Sequence, residues 1–205
     1  MKNEWINSDV LDKVGIKVLH TSFYTAKPFK HIQIENFLNG EKAEKLIRAL
    51  KKEKFHEKDS DLFQFRQTND LKYSKNKHIL DFIKYMNSEE GRKIMIEITG
   101  IKLNKIEGDV FGSLYQDTDF LLCHDDRLEK RKIAYILYLC EDFNEIEGGS
   151  LILYSDEDGK PKNIEKRYAP KWNTLFLFEV GEKSWHEVEE ILGDKKRYAI
   201  GGWYY

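Results

Sequence analysis

The second half of the chain contains six short runs rich in β-branched and aromatic residues, and this pattern constrains the fold more than any other feature. The runs are KIEGDVFGSLYQ, DFLLCH, KIAYILYLC, GGSLILY, TLFLFEV and RYAIGGWYY, at residues 105–116, 119–124, 132–140, 148–154, 174–180 and 197–205. Glycine, aspartate and asparagine separate the runs, as is typical of strands joined by turns. Many short strands in succession predict a β-sandwich or jelly roll.

The first half has a helical period instead. Helices are predicted at residues 39–55, 77–86 and 88–100. The first of them has apolar residues at helical spacing and Asn39 in the position of an N-cap, and residues 29–38 read as a strand before it. We therefore predict an α+β protein, in which a double-stranded β-helix (jelly roll) core at 101–205 is buttressed by N-terminal helices within 1–100.

Length and composition limit the classes of protein to which the chain can belong. With 205 residues, 40% of them hydrophobic, we expect one domain over residues 1–205. The formal net charge is −2, so direct nucleic-acid binding is not expected. No run reaches the about 18 apolar residues of a membrane span, and the N-terminus lacks the apolar core of a signal peptide. Cys123 and Cys140 are interpreted as buried, reduced strand residues of a cytoplasmic protein.

The segment LLCHDD at residues 121–126 puts charged groups beside an apolar strand, which is costly unless something neutralises them. On a regular strand, side chains two residues apart share a face, so His124 and Asp126 are expected to point inward while Asp125 points away. An imidazole and a carboxylate are two of the three ligands of a 2-His-1-carboxylate iron site. The triplet alone is weak evidence, because a surface turn has the same composition.

A third ligand and an anion-binding group follow later in the chain. His186 is a candidate ligand, although alone it equally fits a core histidine that donates to a backbone carbonyl. Arg197 lies inside an aromatic strand, where its charge is costly unless it meets an anion. Its fork of donors suits a carboxylate such as the distal one of 2-oxoglutarate. The remaining histidines are interpreted as surface or helix-face residues: His20, His31, His56 and His78.

The sequence resembles the 2-oxoglutarate- and Fe(II)-dependent dioxygenases and, within them, the ribosomal prolyl hydroxylases related to the yeast translation-termination-associated protein. The matching blocks, in the same order, are IENFLNGEKAEKL, DLFQF, LYQDTDFLLCHDDRLEKRKIAYILYL, GGSLILY, APKWNTLFLFEV, WHEVEEIL and RYAIGGWYY. The most specific is LLCHDD followed by R-x-I-A-x-I-L-Y-L. The eukaryotic ribosomal members carry a second β domain, so we expect this chain to correspond to their first domain.

The resemblance implies roles for six residues. The iron(II) ligands would be His124, Asp126 and His186, and the residues that contact 2-oxoglutarate would be Arg197, Tyr138 and Tyr115. From their own sequence context, core packing would be the default for either tyrosine. O₂ would be the other co-substrate, and ascorbate would support turnover. The implied substrate is a prolyl residue in a protein loop, with ribosomal protein S12 as the leading candidate.

Several alternatives stay open at the level of the sequence. The same chemistry could act on a free amino acid, a small metabolite or another protein, because fold and site do not separate these substrates. A non-catalytic jelly-roll protein with a structural metal is the alternative of a different class. No nucleophile or general base is expected, so Asp125 and Glu187 are interpreted as residues at the surface or behind the ligands. Residues 57–76 form either a lid beside the iron or an ordinary surface loop. A solvated turn is expected for Arg127, Lys130, Arg131 and Lys132.

Overall fold

The computed structural model describes residues 4–103, 110–128 and 130–205, which contain four α-helices and eleven β-strands. The helices are α1 (Lys13–Thr25), α2 (Gly40–Leu50), α3 (Lys77–Met86) and α4 (Glu89–Thr99). The strands are β1 (His31–Ile34), β2 (Phe55–Ser60), β3 (Phe63–Thr68), β4 (Val110–Tyr115), β5 (Phe120–His124), β6 (Ile133–Tyr138), β7 (Leu151–Glu157), β8 (Lys160–Tyr168), β9 (Thr174–Glu179), β10 (His186–Val188) and β11 (Arg197–Tyr204). Single 3₁₀ turns occur at Leu71–Tyr73 and Glu145–Glu147.

The strands form one curled antiparallel sheet. Its order is β1-β9-β6-β11-β4-β3-β5-β10-β7-β8, and β2 pairs with β3 beside this path. Strands β9, β6, β11 and β4 form one wall, and strands β5, β10 and β7 form the other. Strand β3 connects the walls, because it pairs with β4 along one part of its length and with β5 along another. This arrangement confirms the predicted α+β fold with a jelly-roll core.

Strand β9 shows how the helices support the sheet. Leu175 and Leu177 belong to the hydrophobic cluster that includes the buried faces of the four helices. Phe176 and Phe178 point the opposite way, into the cluster between the two walls. The strand is therefore buried on both faces, which explains why TLFLF is continuously apolar rather than alternating. In helix α2 the predicted cap is present, because the Asn39 side chain accepts a hydrogen bond from the Glu41 backbone N–H.

The segment predicted as a lid or surface loop is instead mostly a β-hairpin. Strands β2 and β3 pair from Phe55↔Thr68 to Ser60↔Phe63. Phe63, Phe65 and Gln67 of β3 line the cavity between the walls. The loop interpretation of residues 57–76 was wrong because a strand with a glutamine inside and charged residues outside has the composition of a loop. Its pairing with β4 and β5, rather than its own sequence, specifies the strand.

Other boundaries differ from those expected. Helix α2 ends at Leu50 rather than at residue 55, and the strand predicted at 29–38 is restricted to β1. The first residues of the strand predicted at 105–116 fall within 104–109, which lie outside the described residues. The remainder of that prediction corresponds to β4. Helix α1 and strand β8 were not predicted. Strand β8 lies at one end of the sheet order and is almost fully exposed, so it has no apolar alternation from which to recognise it.

The surface interpretation is wrong for His31, which is 3% exposed on β1. Its ring stacks on Phe176 with the centroids 5.7 Å apart, and its Nε2 lies 2.6 Å from the Tyr168 hydroxyl. Burial lowers the pKa of this imidazole from its ordinary value. Of the others, His20 lies on α1, His78 on α3 and His56 on β2, all partly buried.

Both cysteines are free thiols. Cys140 is buried as predicted, whereas Cys123 is only half-buried and does not line the cavity between the walls. Burial raises the pKa of each thiol to about 12, so neither is a reactive thiolate at neutral pH. Within residues 4–103, 110–128 and 130–205, every helix is too short or too polar to cross a membrane.

Candidate metal centre and co-substrate pocket

The three residues predicted as metal ligands lie together between the two walls of the sheet. His124 ends β5, His186 begins β10, and the two residues are directly paired. Asp126 follows β5, and its carboxylate oxygens lie 3.6 Å from Nε2 of His124 and 3.7 Å from Nε2 of His186. One ligand atom from each residue lies within 4.8 Å of the other two. This spacing suits a single shared metal ion.

A β-bulge places His124 in the cavity. The paired positions His186↔His124 and Val188↔Leu121 are separated by two residues on β10 but by three on β5. The extra residue on β5 breaks the strict alternation, so Leu121 and His124 both line the cavity. Leu122, which regular alternation would place on the same face as His124, is 46% exposed.

Asp126 also lines the cavity, but its backbone conformation rather than the bulge places it there. It lies beyond β5 with a φ of 59°, in the left-handed region that aspartate tolerates better than most residues. The prediction that Asp126 shares a strand face with His124 was therefore wrong in its geometry, although the two side chains do converge. Asp125 points away as expected and accepts a hydrogen bond from Nε of Arg127 at 2.7 Å.

Backbone carbonyls orient both imidazoles. Nδ1 of His124 lies 2.9 Å from the Leu122 carbonyl, and Nδ1 of His186 lies 2.7 Å from the Ser184 carbonyl. A carbonyl oxygen can only accept a hydrogen bond, so each Nδ1 carries the proton and donates it. Each Nε2 consequently keeps a free lone pair directed at the centre, which is the tautomer that a metal ligand needs.

The charges at the centre are also those that a metal requires. Burial acts to raise the pKa of Asp126, but His124, His186 and the indole N–H of Trp203 outweigh it and hold this pKa well below its ordinary value. Burial and the neighbouring His124 lower the pKa of His186 to about 4. At neutral pH the centre therefore contains an ionised carboxylate and a neutral His186. Two imidazoles and one carboxylate fit iron(II), which this donor set binds with open positions.

Arg197 lies in the same cavity, which has a volume of about 360 Å³. It is 1% exposed, and its guanidinium carbon lies 5.0 Å and 4.9 Å from the ring centroids of Tyr115 and Tyr138. Its Nη2 donates to the Tyr138 hydroxyl at 3.3 Å, whereas its Nε donates to no atom of the residues that the structure describes. A buried cation with an unused donor is costly, and a carboxylate entering the cavity would satisfy it.

The two tyrosines are placed to assist in holding such an anion. Burial raises the pKa of both phenols, so each keeps its proton at neutral pH and can donate it. Tyr115 is directly paired with Arg197 across β4 and β11. The Phe65 ring stacks on Tyr115 with the centroids 4.8 Å apart and the planes 9° from parallel. The hairpin formed by β2 and β3 therefore supports the pocket that contains Arg197.

Sequence reasoning missed two residues that contact Asp126. Nε1 of Trp203 donates to the Asp126 carboxylate at 3.1 Å. The Arg131 guanidinium carbon lies 3.4 Å from the Trp203 ring centroid, and its Nη1 donates to the Asp126 carbonyl at 3.3 Å. The solvated-turn interpretation was thus wrong for Arg131 and also for Lys132, which is partly buried with its Nζ donating to the Lys102 carbonyl at 2.9 Å. It holds for Arg127 and Lys130, which are exposed. The available signal was spacing, since Trp203 lies an even number of residues after Arg197 on one strand and so shares its face.

Replacing Trp203 by phenylalanine is expected to weaken metal binding about tenfold, because losing a hydrogen-bond partner of a ligand typically has this effect. The phenyl ring keeps the contact with Arg131 but cannot donate to Asp126. The measurement is a titration with Mn(II), whose free-ion EPR signal falls as the ion binds. Trp172→Phe is the control, because Trp172 lies outside the cavity lining. Equal affinities in the two variants would show that the indole N–H does not support the centre.

A 2-His-1-carboxylate donor set with open positions is the arrangement that non-haem iron(II) oxygenases use, and here the three candidate ligands share one cavity with the buried Arg197. Residues 110–205 match the family described as the 2OG-Fe(II) oxygenase superfamily. It is 41% identical over 181 residues to prolyl 3-hydroxylase OGFOD1 of Xenopus laevis, covering 87% of this chain and 35% of that protein. The protein of the same name from Mus musculus is 42% identical, with 87% and 33% covered.

The chain thus spans about a third of the length of these curated relatives. Among solved structures, a Pseudomonas putida prolyl-4-hydroxylase superposes with a TM-score of 0.69 at 19% identity, covering 91% of this chain and 97% of that one. At this identity the likeness establishes the fold, and it agrees with the jelly roll described above.

Proposed function

We propose that this protein is an Fe(II)- and 2-oxoglutarate-dependent dioxygenase that hydroxylates a prolyl residue in a protein substrate. The observation that carries the proposal is the pairing, in one cavity, of the His124–Asp126–His186 ligand set with the buried and incompletely bonded Arg197. The relatives named prolyl 3-hydroxylases favour proline as the target and its C3 as the oxidised carbon.

When bound, iron(II) and 2-oxoglutarate supply the oxidising chemistry, in which O₂ is consumed, 2-oxoglutarate becomes succinate and CO₂, and a substrate C–H becomes C–OH. The chain's own residues bind the metal and the co-substrate and orient them. The imidazoles of His124 and His186 and the Asp126 carboxylate would hold the metal, and Arg197 with Tyr138 would hold the distal carboxylate of the co-substrate. The cavity walls exclude water with apolar side chains, among them Phe63, Phe65, Phe111 and Phe178.

The substrate is the finer part of the proposal. We take a proline-containing loop of ribosomal protein S12 as the first candidate, supported by the resemblance of the sequence blocks to ribosomal prolyl hydroxylases. Ascorbate is included as a supporting reductant. A cytoplasmic location belongs to the same proposal, and the free thiols of Cys123 and Cys140 support it, because such thiols persist in reducing compartments.

The test is an assay with Fe(II), 2-oxoglutarate and O₂ against three substrates: an S12 loop peptide, the same peptide with its proline replaced by alanine, and free L-proline. We expect succinate formation above the substrate-free rate, and one added oxygen atom, only with the first peptide. Chromatography of the hydrolysed product separates 3-hydroxyproline from 4-hydroxyproline. Turnover of free proline alone would assign a metabolite as substrate.

His124→Ala is the negative control, because it removes one metal ligand. Slow conversion of 2-oxoglutarate without substrate by the wild type, absent in this variant, would exclude a non-catalytic metal-binding protein. A wild type that binds iron but converts no 2-oxoglutarate under any condition would contradict the proposed function.

A further inference from the structure

We propose that Ser184 is a positioning residue for the metal centre, tying the segment that carries Asp126 to the segment that carries His186. It would contact neither the metal nor the substrate. The inference rests on the proposed function, because it takes the ligand set to be a working metal site. Its two independent contacts come from the Ser184 carbonyl and from the Ser184 hydroxyl.

The carbonyl acts on His186. Ser184 is 1% exposed, and its carbonyl oxygen accepts the hydrogen bond from Nδ1 of His186 at 2.7 Å. This bond decides which ring nitrogen keeps the proton, and it directs Nε2 towards Asp126. The orientation of the imidazole therefore depends on where the Ser184 peptide group is held.

The hydroxyl acts on the other ligand segment. Oγ of Ser184 lies 2.9 Å from the Asp125 carbonyl and 2.9 Å from the Gly181 carbonyl, and it accepts a hydrogen bond from the Gly181 N–H at 3.1 Å. A hydroxyl has one hydrogen, so the two carbonyls share it. Ser184 is the residue through which the turn at 181–184 is joined to Asp125, far away along the chain.

The bond to the Asp125 carbonyl has a direct effect on Asp126. The Asp125 carbonyl and the Asp126 N–H belong to one rigid peptide plane. Fixing this plane restricts φ of Asp126, which has the left-handed value of 59°. Without the bond, Asp126 has one restraint fewer against relaxing towards the more favourable right-handed or extended regions, and such a shift would move its carboxylate away from the imidazoles.

The side chain of Asp126 is held separately by Trp203, and its carbonyl by Arg131. The Ser184 hydroxyl acts on the N-terminal side of Asp126, through the carbonyl of the preceding residue, Asp125. Removing it therefore changes the spacing of the ligands while leaving each ligand in the chain. A residue that acts in this way affects metal affinity more than it affects folding.

The experiment compares Ser184→Ala with the wild type and with Ser150→Ala. Ser150 is also a buried serine, at 4% exposure, and it is outside the ligand segments. We expect the Kd for Mn(II), measured by EPR titration of the full chain, to rise about tenfold to a hundredfold in Ser184→Ala. We expect no change in Ser150→Ala, although thermal unfolding of the metal-free proteins should show similar losses of stability.

Ser184→Cys keeps an unbranched side chain with one donor but weakens its hydrogen bonds, and this variant is used for the test if the alanine variant does not fold. We expect it to bind Mn(II) more weakly than the wild type. Affinities equal to the wild type in the folded Ser184 variants would overturn the inference and leave the proposed function intact. Failure of the wild type itself to bind Mn(II) would contradict both, because no metal site would exist to be positioned.

Discussion

Asp126→Gly is expected to weaken the binding of Fe(II) or Mn(II) about 100-fold and to reduce succinate formation to background. Structural metal sites with four ligands bind with about 10–16 kcal/mol, so one ligand contributes roughly 3 kcal/mol. Glycine is chosen because φ of Asp126 is 59°, a value that alanine would adopt only with strain. The variant is thus expected to remain folded, which circular dichroism would show. The loss of metal affinity in the titration then reports the loss of the carboxylate.

The neighbouring carboxylate supplies the control for this variant. Asp125→Ala removes a group that bonds to Arg127 and keeps the backbone carbonyl that Ser184 contacts. We expect its metal affinity to match that of the wild type. If both variants bound metal equally well, Asp126 would not be a ligand, and the 2-His-1-carboxylate interpretation would fail.

Arg197→Met is expected to have opposite effects on binding and on stability. Loss of a charge-assisted, buried contact costs about 2–5 kcal/mol, so 2-oxoglutarate should bind about 30-fold more weakly or worse. The free protein should instead become more stable by about 1–3 kcal/mol, because an unbonded buried donor is removed while the volume is conserved. Binding can be followed from the visible charge-transfer band of the anaerobic Fe(II) protein titrated with 2-oxoglutarate, and stability from thermal unfolding.

Arg66→Met is the matched control, because Arg66 has its partners within the protein. Its guanidinium donates to Gln116 at 2.7 Å and to Glu57 at 3.1 Å, and it lies 3.7 Å from the Asp119 carboxylate. Methionine there should lower the stability and leave the charge-transfer titration close to that of the wild type. If Arg197→Met were the less stable of the two variants, with 2-oxoglutarate binding unchanged, Arg197 would be a structural residue.

The candidate site residues stand out in the sequence because their chemistry conflicts with their surroundings. His124, Asp126, His186 and Arg197 are polar or charged residues within or beside apolar strands, where burial is costly without a partner. The structure places these four residues and Tyr115 in the lining of one cavity. Tyr138 is outside that lining and is connected to it through its hydrogen bond from Arg197. Their roles towards iron and 2-oxoglutarate are the subject of the experiments above.

The geometry of the same residues was not predictable. Strand alternation correctly indicated that His124 and Asp126 converge, but for the wrong reason, since β5 contains a bulge and Asp126 lies beyond its end in a left-handed conformation. The bulge exists only in the pairing of β5 with β10, whose residues come much later in the chain. The sequence LLCHDD contains no local pattern from which that pairing could be predicted.

The sequence by itself determined the fold class and indicated the candidate site residues, because short apolar runs specify strands and isolated charges within them require partners. The tertiary structure alone decided which groups support the site. Strand pairing turned most of the segment 57–76 into a hairpin that lines the cavity. Close packing placed Trp203, Arg131 and Ser184 around Asp126. The physical reason is that such contacts are made between residues far apart in the chain, and their geometry follows from sheet register and packing rather than from local periodicity.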